Sequence, residues 1–213
     1  MLLCVLLAAT ATASAEGSFP FFFDVGGAGP ADVSLSPVKR VVFGVIRECP
    51  HPCGLMPTIS KDGAKINGGI PQSMNRTLHF DTLNATLSKY LSPDDDSMLD
   101  FDFEAWSPLW EKVNTSAYAD GSRALVRQMH PEWHDAARIE HQAQYDWESA
   151  AKSILIDTVE FIRSVRPRVR VGMYSYPQRA YWHGYDTSSG DALRSQNDRL
   201  FPLWCHLDVL FPS

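Results

Sequence analysis

The sequence has few cysteines, no excess of basic residues and no apolar run long enough to cross a membrane. Only 4 cysteines occur in 213 residues, and Cys49 and Cys53 are not followed by the second ligand pair of a zinc site. Lysine and arginine total 19 against 25 for aspartate and glutamate, a formal net charge of −6. Without a basic domain or an RNA-binding motif, no nucleic-acid partner is expected.

The N-terminus has the pattern of a signal for secretion. Residues 2–9 are apolar, small residues follow, and Ala13-Ser14-Ala15 fits a signal-peptidase site before Glu16. The stretch is too short for a membrane-spanning helix. We therefore predict a signal peptide over residues 1–15 and a secreted or lysosomal protein. Three Asn-x-Ser/Thr triplets agree with this route and are candidate glycosylation sites: Asn75, Asn84 and Asn114.

Removing the signal peptide, and Cys4 with it, leaves an odd number of cysteines: Cys49, Cys53 and Cys205. In a secreted chain an odd count means a free thiol, an intermolecular bridge or a missing partner. Cys49 and Cys53 are also near enough in sequence to pair with each other. The residues alone leave the pairing open.

The rest of the chain has the composition of one domain, because 45% of the residues are hydrophobic. Residues 16–37 lack periodicity and predict a flexible leader, whereas residues 38–213 alternate strands with helices and residues 54–72 read as loop. Helical spacing occurs over residues 78–91 and 135–165. The predicted strands are Val38–Ile46, Met98–Glu104, Val169–Tyr176 and Leu203–Phe211. Such alternation is typical of a parallel α/β barrel.

The predicted strand over residues 98–104 is the most informative segment. Its alternation places three apolar side chains on one face and three acids on the other: Leu99, Phe101 and Phe103 against Asp100, Asp102 and Glu104. Acids two residues apart on a strand are about 6.5–7 Å apart at Cα, so both can contact one bound molecule. This arrangement suits an acid and a helper carboxylate at a glycosidic bond. The alternative is a solvated acidic edge strand that prevents aggregation.

The motifs that flank these acids resemble those of the hyaluronidase family of glycoside hydrolases. The most specific motif is Asp102-x-Glu104 followed by Trp106-x-Pro108-x-Trp110. Other motifs occur at residues 68–72, 130–133 and 172–177, in the same order and with the same spacing as in the family. The similarity extends from about Val38 to Ser213.

This resemblance implies a partial TIM-like (β/α) barrel with parallel strands, truncated at its C-terminus, whose chemistry lies at the carboxyl ends of the strands. It implies a hydrolase of β-1,4 N-acetylhexosaminide bonds in the glycosaminoglycans hyaluronan or chondroitin. In the family, the substrate's own acetamido oxygen attacks the anomeric carbon and configuration is retained. Carried over by motif, Glu104 is the catalytic acid/base, Asp102 orients and stabilises the acetamido group, and Tyr174 contacts it. No cofactor or metal is implied, and a monomer is expected.

Trp106 and Trp110 have two interpretations. They can stack on sugar rings, and Trp106 is the candidate substrate-binding residue of the two. Tryptophans that follow a barrel strand more often pack between the barrel and a helix.

Several positions depart from the family pattern. Ser107 stands where the family typically has an arginine that shapes a charged groove, and Asp100 replaces an apolar residue. A stretch that would contain the second barrel strand is missing between Cys53 and Pro57. The resemblance also implies that Cys53 pairs beyond the end of this chain and that the family's second bridge is absent. A secreted, catalytically silent glycan-binding remnant of the same fold therefore remains the alternative.

The net charge is unfavourable for a protein that binds an acidic polysaccharide, because a negative field repels it. Salt screens that field beyond about 8–10 Å, so a local basic cluster would suffice. The candidates for such a cluster are Arg123, Arg127, Arg163, Arg166, Arg168 and Arg170.

Overall fold

The structure is a computed structural model and describes residues 22–24, 39–43, 54–113, 115–178 and 187–211. Its strands are β1 (Phe22–Asp24), β2 (Lys39–Phe43), β3 (Thr58–Ile59), β4 (Lys65–Ile66), β5 (Met98–Phe101) and β6 (Arg170–Met173). Its α-helices are α1 (Arg76–Tyr90), α2 (Ala117–Met129), α3 (Ala136–Val165), α4 (Ser188–Arg199) and α5 (Phe201–Trp204). Two short 3-10 helices cover Pro71–Ser73 and Trp110–Lys112.

Four strands form one parallel sheet in the order β1-β2-β5-β6. On one side of β5, Leu99 is paired with Val42, and on the other side it is paired with Val171. All four residues of β5 are buried. The predicted parallel α/β architecture is confirmed, whereas the solvated edge strand is wrong because β5 has a neighbour on both sides.

The strands are shorter than the sequence predicts. β5 ends at Phe101, so Asp102 and Glu104 follow the strand, and β6 ends at Met173. The strand expected over Leu203–Phe211 is wrong: that segment begins in α5, and only Phe211 forms isolated bridges, with Tyr174 and Tyr176. A strand continues only as far as a neighbour offers backbone partners, and apolar alternation cannot show where that neighbour ends.

Two segments predicted to lack structure contain strands. Phe22–Asp24, within the predicted leader, pairs in parallel with β2. In the predicted loop, β3 and β4 form an antiparallel hairpin whose turn needs Gly63 at φ 85°. The predicted signal peptide, residues 1–15, lies outside the described residues.

The helices cover the sheet with the apolar faces that their periodicity predicts. On α1, Leu83 and Leu87 are buried, and Leu91 at its C-terminus is buried too. Asp135 caps the start of α3, because its carboxylate accepts from the Ala137 amide. Further along α3, Trp147 is fully buried in the core. In the described part of the chain, no helix is both long and apolar enough to cross a bilayer.

Helices α2 and α4 were not predicted. α2 carries Gly121 in its middle, where glycine is a poor helix former, and a Cβ there would meet the Ile70 side chain at 3.0 Å. α4 buries only Gly190, so it offers little apolar periodicity to detect. Its start is nevertheless well defined, because the Thr187 hydroxyl accepts from the Gly190 amide.

Candidate active site

The predicted catalytic residues lie at the carboxyl edge of the parallel sheet. Phe101 is paired with Met173 at the ends of β5 and β6, so Asp102 and Tyr174 are the next residues on neighbouring strands. The Tyr174 amide donates to the Phe101 carbonyl at 3.1 Å and keeps these two segments together. The fold therefore brings Asp102, Glu104 and Tyr174 to one edge, although they come from segments far apart in the sequence.

Exposure increases along the acidic series. Asp100 is only 1% exposed, Asp102 is half-buried and Glu104 is exposed. On the opposite face, Phe101 and Phe103 are buried in the core, as the alternation predicts. Glu104 is thus the member of the series with most access to a ligand in solution.

A pocket of about 330 Å³ lies beside Glu104. Its wall combines residues 103–107 after β5, residues from 112 to 118, and residues from 175 to 178 after β6. Glu104 and Trp106 line it, whereas Asp102 and Tyr174 are not among its lining residues. The pocket therefore adjoins Glu104 but neither Asp102 nor Tyr174.

The indole rings of Trp106 and Trp110 are packed in the core. Trp106 is 5% exposed, donates from Nε1 to the Pro57 carbonyl at 2.7 Å and makes edge contacts with Phe103 and Trp147. Trp110 donates from Nε1 to Glu140 at 2.9 Å. The packing interpretation is confirmed for both rings, and the substrate-binding role of Trp106 stays a prediction.

Ser107 connects the segments that follow β5 and β6. Its hydroxyl forms a hydrogen bond with the phenol of Tyr176, and its carbonyl accepts from Trp147 Nε1 at 3.0 Å. Burial raises the pKa of Tyr176 to about 12, against the smaller opposing effect of the Ser107 hydrogen bond. Tyr176 is therefore a neutral phenol that holds the pocket wall. The sequence signal for it was only the weak Tyr-x-Tyr-Pro motif.

A second contact fixes the end of the wall. The Gln178 amide donates to Asn197 Oδ1 at 3.1 Å, and Asn197 Nδ2 donates back to the Gln178 carbonyl at 2.8 Å. Asn197 lies on α4, and its own carbonyl accepts from Trp204 Nε1 at 2.8 Å. Because α4 was not predicted, sequence reasoning missed this contact.

The candidate arginines do not form a basic groove at the pocket. Arg123 is paired with Glu140 at 2.6 Å, and this pairing lowers the pKa of Glu140. Arg163 is paired with Asp208 at 2.8 Å. None of the six candidates lines the pocket. Arg123 and Arg163 join elements of the fold instead.

Two predicted glycosylation sites lie on the surface of α1. Asn75 is exposed, and its Oδ1 caps the helix by accepting from the Leu78 amide at 3.1 Å, which leaves Nδ2 for a glycan. Asn84 is exposed on the same helix. Asn114 lies outside the described residues.

Of the cysteines, Cys4, Cys49 and Cys53 also lie outside the described residues. Cys205 is disulfide-bonded. Within the described ranges no group of three or more acids, histidines and cysteines is arranged to hold a metal ion.

Residues 50–213 match the sequence model of a family described as hyaluronidase. Hyaluronidase-2 of Rattus norvegicus is 34% identical over 170 residues, which cover 75% of this chain and 36% of the relative. Hyaluronidase-1 of Homo sapiens is 32% identical over 170 residues, which cover 75% of this chain and 38% of the relative. The chain spans little more than a third of the length of these curated relatives.

Solved structures show the same similarity. The crystal structure of bee venom hyaluronidase superposes with a TM-score of 0.68 at 25% identity, over 83% of this chain and 55% of the other. The bee venom hyaluronidase in complex with a hyaluronic acid tetramer gives a TM-score of 0.65 over 81% of this chain and 53% of the other. At 24% identity, that second match shows the fold alone.

Proposed function

This chain belongs to the hyaluronidase family, and from that premise we propose that it carries the acid-bearing part of a glycoside hydrolase site. The substrate class is hyaluronan or chondroitin, cleaved at β-1,4 N-acetylhexosaminide bonds. One observation carries the proposal: Asp102 and Glu104 follow an inner parallel strand, and Tyr174 follows its neighbour at the same edge. Catalytic groups of (β/α) barrels occupy that position.

The geometry suits a substrate-assisted reaction with Glu104 as the acid. Glu104 gives its proton to the glycosidic oxygen as the bond from that oxygen to the anomeric carbon breaks. The 2-acetamido oxygen of the substrate forms a new bond to the same carbon, while Asp102 and Tyr174, side by side at the sheet edge, hold the acetamido group. Water then attacks the carbon, the bond from the carbon to the acetamido oxygen breaks, and Glu104 takes a proton from the water, so two inversions retain the configuration.

Three features support a partial TIM-like barrel as the frame of this site. The strands are parallel, helices connect β5 to β6, and the similar bee venom structure is a hyaluronidase. β2 pairs directly with β5, which fits the stretch missing from the family pattern between Cys53 and Pro57. The N-terminal pattern and the exposed Asn75 and Asn84 support passage through the secretory pathway.

The proposal is tested with Glu104→Gln, measured for release of reducing ends from hyaluronan and chondroitin oligosaccharides. The variant should lose about a hundredfold or more in turnover and still bind substrate, because general acid catalysis contributes about 10²–10⁴-fold. Glu132→Gln, an exposed acid in the loop before α3, is the matched control and should retain wild-type turnover. Near-normal turnover of Glu104→Gln would end the assignment.

The same assay separates the remaining possibilities. A substrate-assisted reaction should fail on de-N-acetylated oligosaccharide, and equal cleavage of that substrate would contradict the roles of Asp102 and Tyr174. Ser107, which stands where the family pattern has an arginine, favours the alternative of a silent glycan-binding remnant. Wild-type protein that binds hyaluronan oligosaccharides without releasing reducing ends would establish that alternative.

A further inference from the structure

The pocket beside Glu104 contains one cation that the proposed reaction does not use. Among the described residues that line this pocket, Lys112 is the only lysine or arginine. Lys112 is exposed and ends the 3-10 helix Trp110–Lys112. An exposed lysine by itself is ordinary, so its position and its lack of competing partners carry the inference.

The residues before Lys112 are fixed to the rest of the protein. Trp110 is 4% exposed, and its amide donates to Glu148 at 3.2 Å. Glu111 is ion-paired with Arg199 at 2.7 Å, which ties it to α4. These contacts hold the 3-10 helix from two sides and leave its last residue at the pocket.

Lys112 is available for a ligand, unlike many other cations of the protein. Arg123, Arg163 and Arg199 are each ion-paired with acids. No ion pair or side-chain hydrogen bond joins Lys112 to any described residue. A lysine ammonium on its flexible stem is a compact charge that can reach an anion without a preset geometry.

We propose that Lys112 binds the carboxylate of a uronic acid residue adjacent to the bond cleaved at Glu104; the inference rests on the proposed function. Uronate carboxylates are common to hyaluronan and chondroitin, and a uronate near Glu104 is repelled once Glu104 has given up its proton, unless a cation compensates. Ser107 supplies no charge, and its hydroxyl accepts from the Leu109 amide at 3.2 Å. Lys112 is thus the specificity-determining cation of this pocket.

The neighbouring hydroxyl groups of the wall carry no charge. The Ser116 hydroxyl donates to the Val113 carbonyl at 2.6 Å, and the Tyr118 phenol accepts from the Ile59 amide at 3.3 Å. The Tyr118 O–H remains a neutral donor that a ligand could also use. The ammonium of Lys112 carries the net attraction.

The test compares a hyaluronan hexasaccharide with the same hexasaccharide whose carboxylates are reduced to alcohols. Kd is measured by calorimetry for the full wild-type chain and for Lys112→Gln, Lys112→Arg and Lys61→Gln. Lys61 is an exposed lysine of the β3–β4 hairpin outside the pocket and is the matched control. Wild type should prefer the anionic form, and Lys112→Gln should weaken that binding about three- to tenfold, the range for a partly exposed ion pair.

Binding of the reduced hexasaccharide should be the same for wild type and Lys112→Gln, and Lys112→Arg should keep the preference for the anionic form. A Lys112→Gln protein that retains the preference, or a Lys61→Gln protein that loses it equally, overturns the assignment of Lys112 alone. Wild-type protein that binds neither hexasaccharide overturns the proposed function as well. The two failures are therefore distinguishable.

Discussion

The three acids of the β5 segment differ in exposure, and exposure decides what each can do. Asp100, 1% exposed in the middle of the sheet, cannot contact a ligand from solution. Asp102 is half-buried beside Tyr174, where it can orient a bound group but is shielded from bulk water. Glu104 is exposed and can contact a ligand from solution. One alternating sequence thus provides three acids that differ in their access to solvent, and the roles proposed for Asp102 and Glu104 depend on that difference.

His79 is a second titratable residue whose environment has a measurable consequence. It is fully buried on α1, and its Nε2 lies 3.0 Å from the Thr158 hydroxyl. That hydroxyl donates to the Ile154 carbonyl, so it accepts from His79. Burial, with a smaller contribution from the Arg76 charge, lowers the pKa of His79 to about 4.

The lowered pKa predicts a loss of stability in acid. The unfolded chain binds the His79 proton near pH 6.5 and the folded chain only near pH 4. The free energy of unfolding should therefore fall as pH decreases from 6.5 to 4, by up to about 3 kcal/mol, with the full stability present above 6.5. Urea unfolding at several pH values measures it.

His79→Gln provides the comparison, because an amide can still donate to Thr158 and does not titrate. The variant should be less stable near pH 7 and show a shallower fall between pH 6.5 and 4. Carboxylates titrate in both proteins, so the difference between the two curves isolates the histidine. Parallel curves would show that His79 does not contribute to the pH dependence.

At the scale of elements, Arg166 joins the C-termini of the two helices that cover the sheet. It is 6% exposed and directly follows α3, and its guanidinium donates to the Leu91 carbonyl at 3.0 Å and the Ser88 hydroxyl at 3.2 Å, both at the end of α1. It also donates to the Val165 carbonyl at 2.7 Å. A buried cation at two helix C-termini satisfies carbonyls that lack partners within the helices and opposes both dipoles.

Arg166→Met should lower the free energy of unfolding by about 2–4 kcal/mol, because it leaves buried carbonyls without donors. Arg166→Lys keeps the charge and should lose less. The matched control is Arg168→Met, two residues further on, whose exposed pairing with Asp96 at 3.8 Å should contribute no more than about 1 kcal/mol. Equal losses in urea unfolding for Arg166→Met and Arg168→Met would contradict this role.

The sheet edge beyond β6 depends on a close backbone approach. A Cβ at Gly172 would lie 2.5 Å from the Val209 carbonyl and 2.6 Å from the Phe211 ring. Asp208 strengthens the same contact: its amide donates to the Val171 carbonyl at 2.8 Å, and its carboxylate accepts from the Val171 amide at 2.9 Å. The segment after α5 therefore covers the outer side of β6 without forming a full strand.

At the scale of the whole molecule, the charge balance opposes the proposed ligand. The net charge of −6 repels a polyanion at long range, whereas Lys112 attracts a single carboxylate at short range. These two effects respond differently to salt, since the Debye length falls from about 30 Å at 0.01 M to about 8 Å at 0.15 M.

The association rate with hyaluronan oligosaccharides should therefore rise with ionic strength over that range, because the long-range repulsion is screened first. Stopped-flow fluorescence measures the rate, and the carboxyl-reduced oligosaccharide, which has no charge to repel, should show no such rise. A rate that falls as salt is added would mean that local attraction dominates approach to the pocket.

The sequence by itself determined the elements whose signal is periodic and local. The alternation over residues 98–104 predicted β5, which ends at Phe101, and the burial of Phe101 and Phe103, and the helical spacing over residues 135–165 predicted α3 almost to the residue. The motif around Asp102 and Glu104 indicated the family that the comparisons show. These features were predictable because each depends on residues within a turn or two of one another.

Only the tertiary structure decided which residues meet across distant segments. The ends of β5 and β6 depend on where their neighbours stop, and α4 is held by polar contacts rather than by an apolar stripe. The same holds for the cations: Arg123 and Arg163 are paired with acids, whereas Lys112 lies at the pocket unpaired with any described residue. Hydrogen bonds and ion pairs depend on distances of a few ångströms, which the fold determines and residue spacing does not.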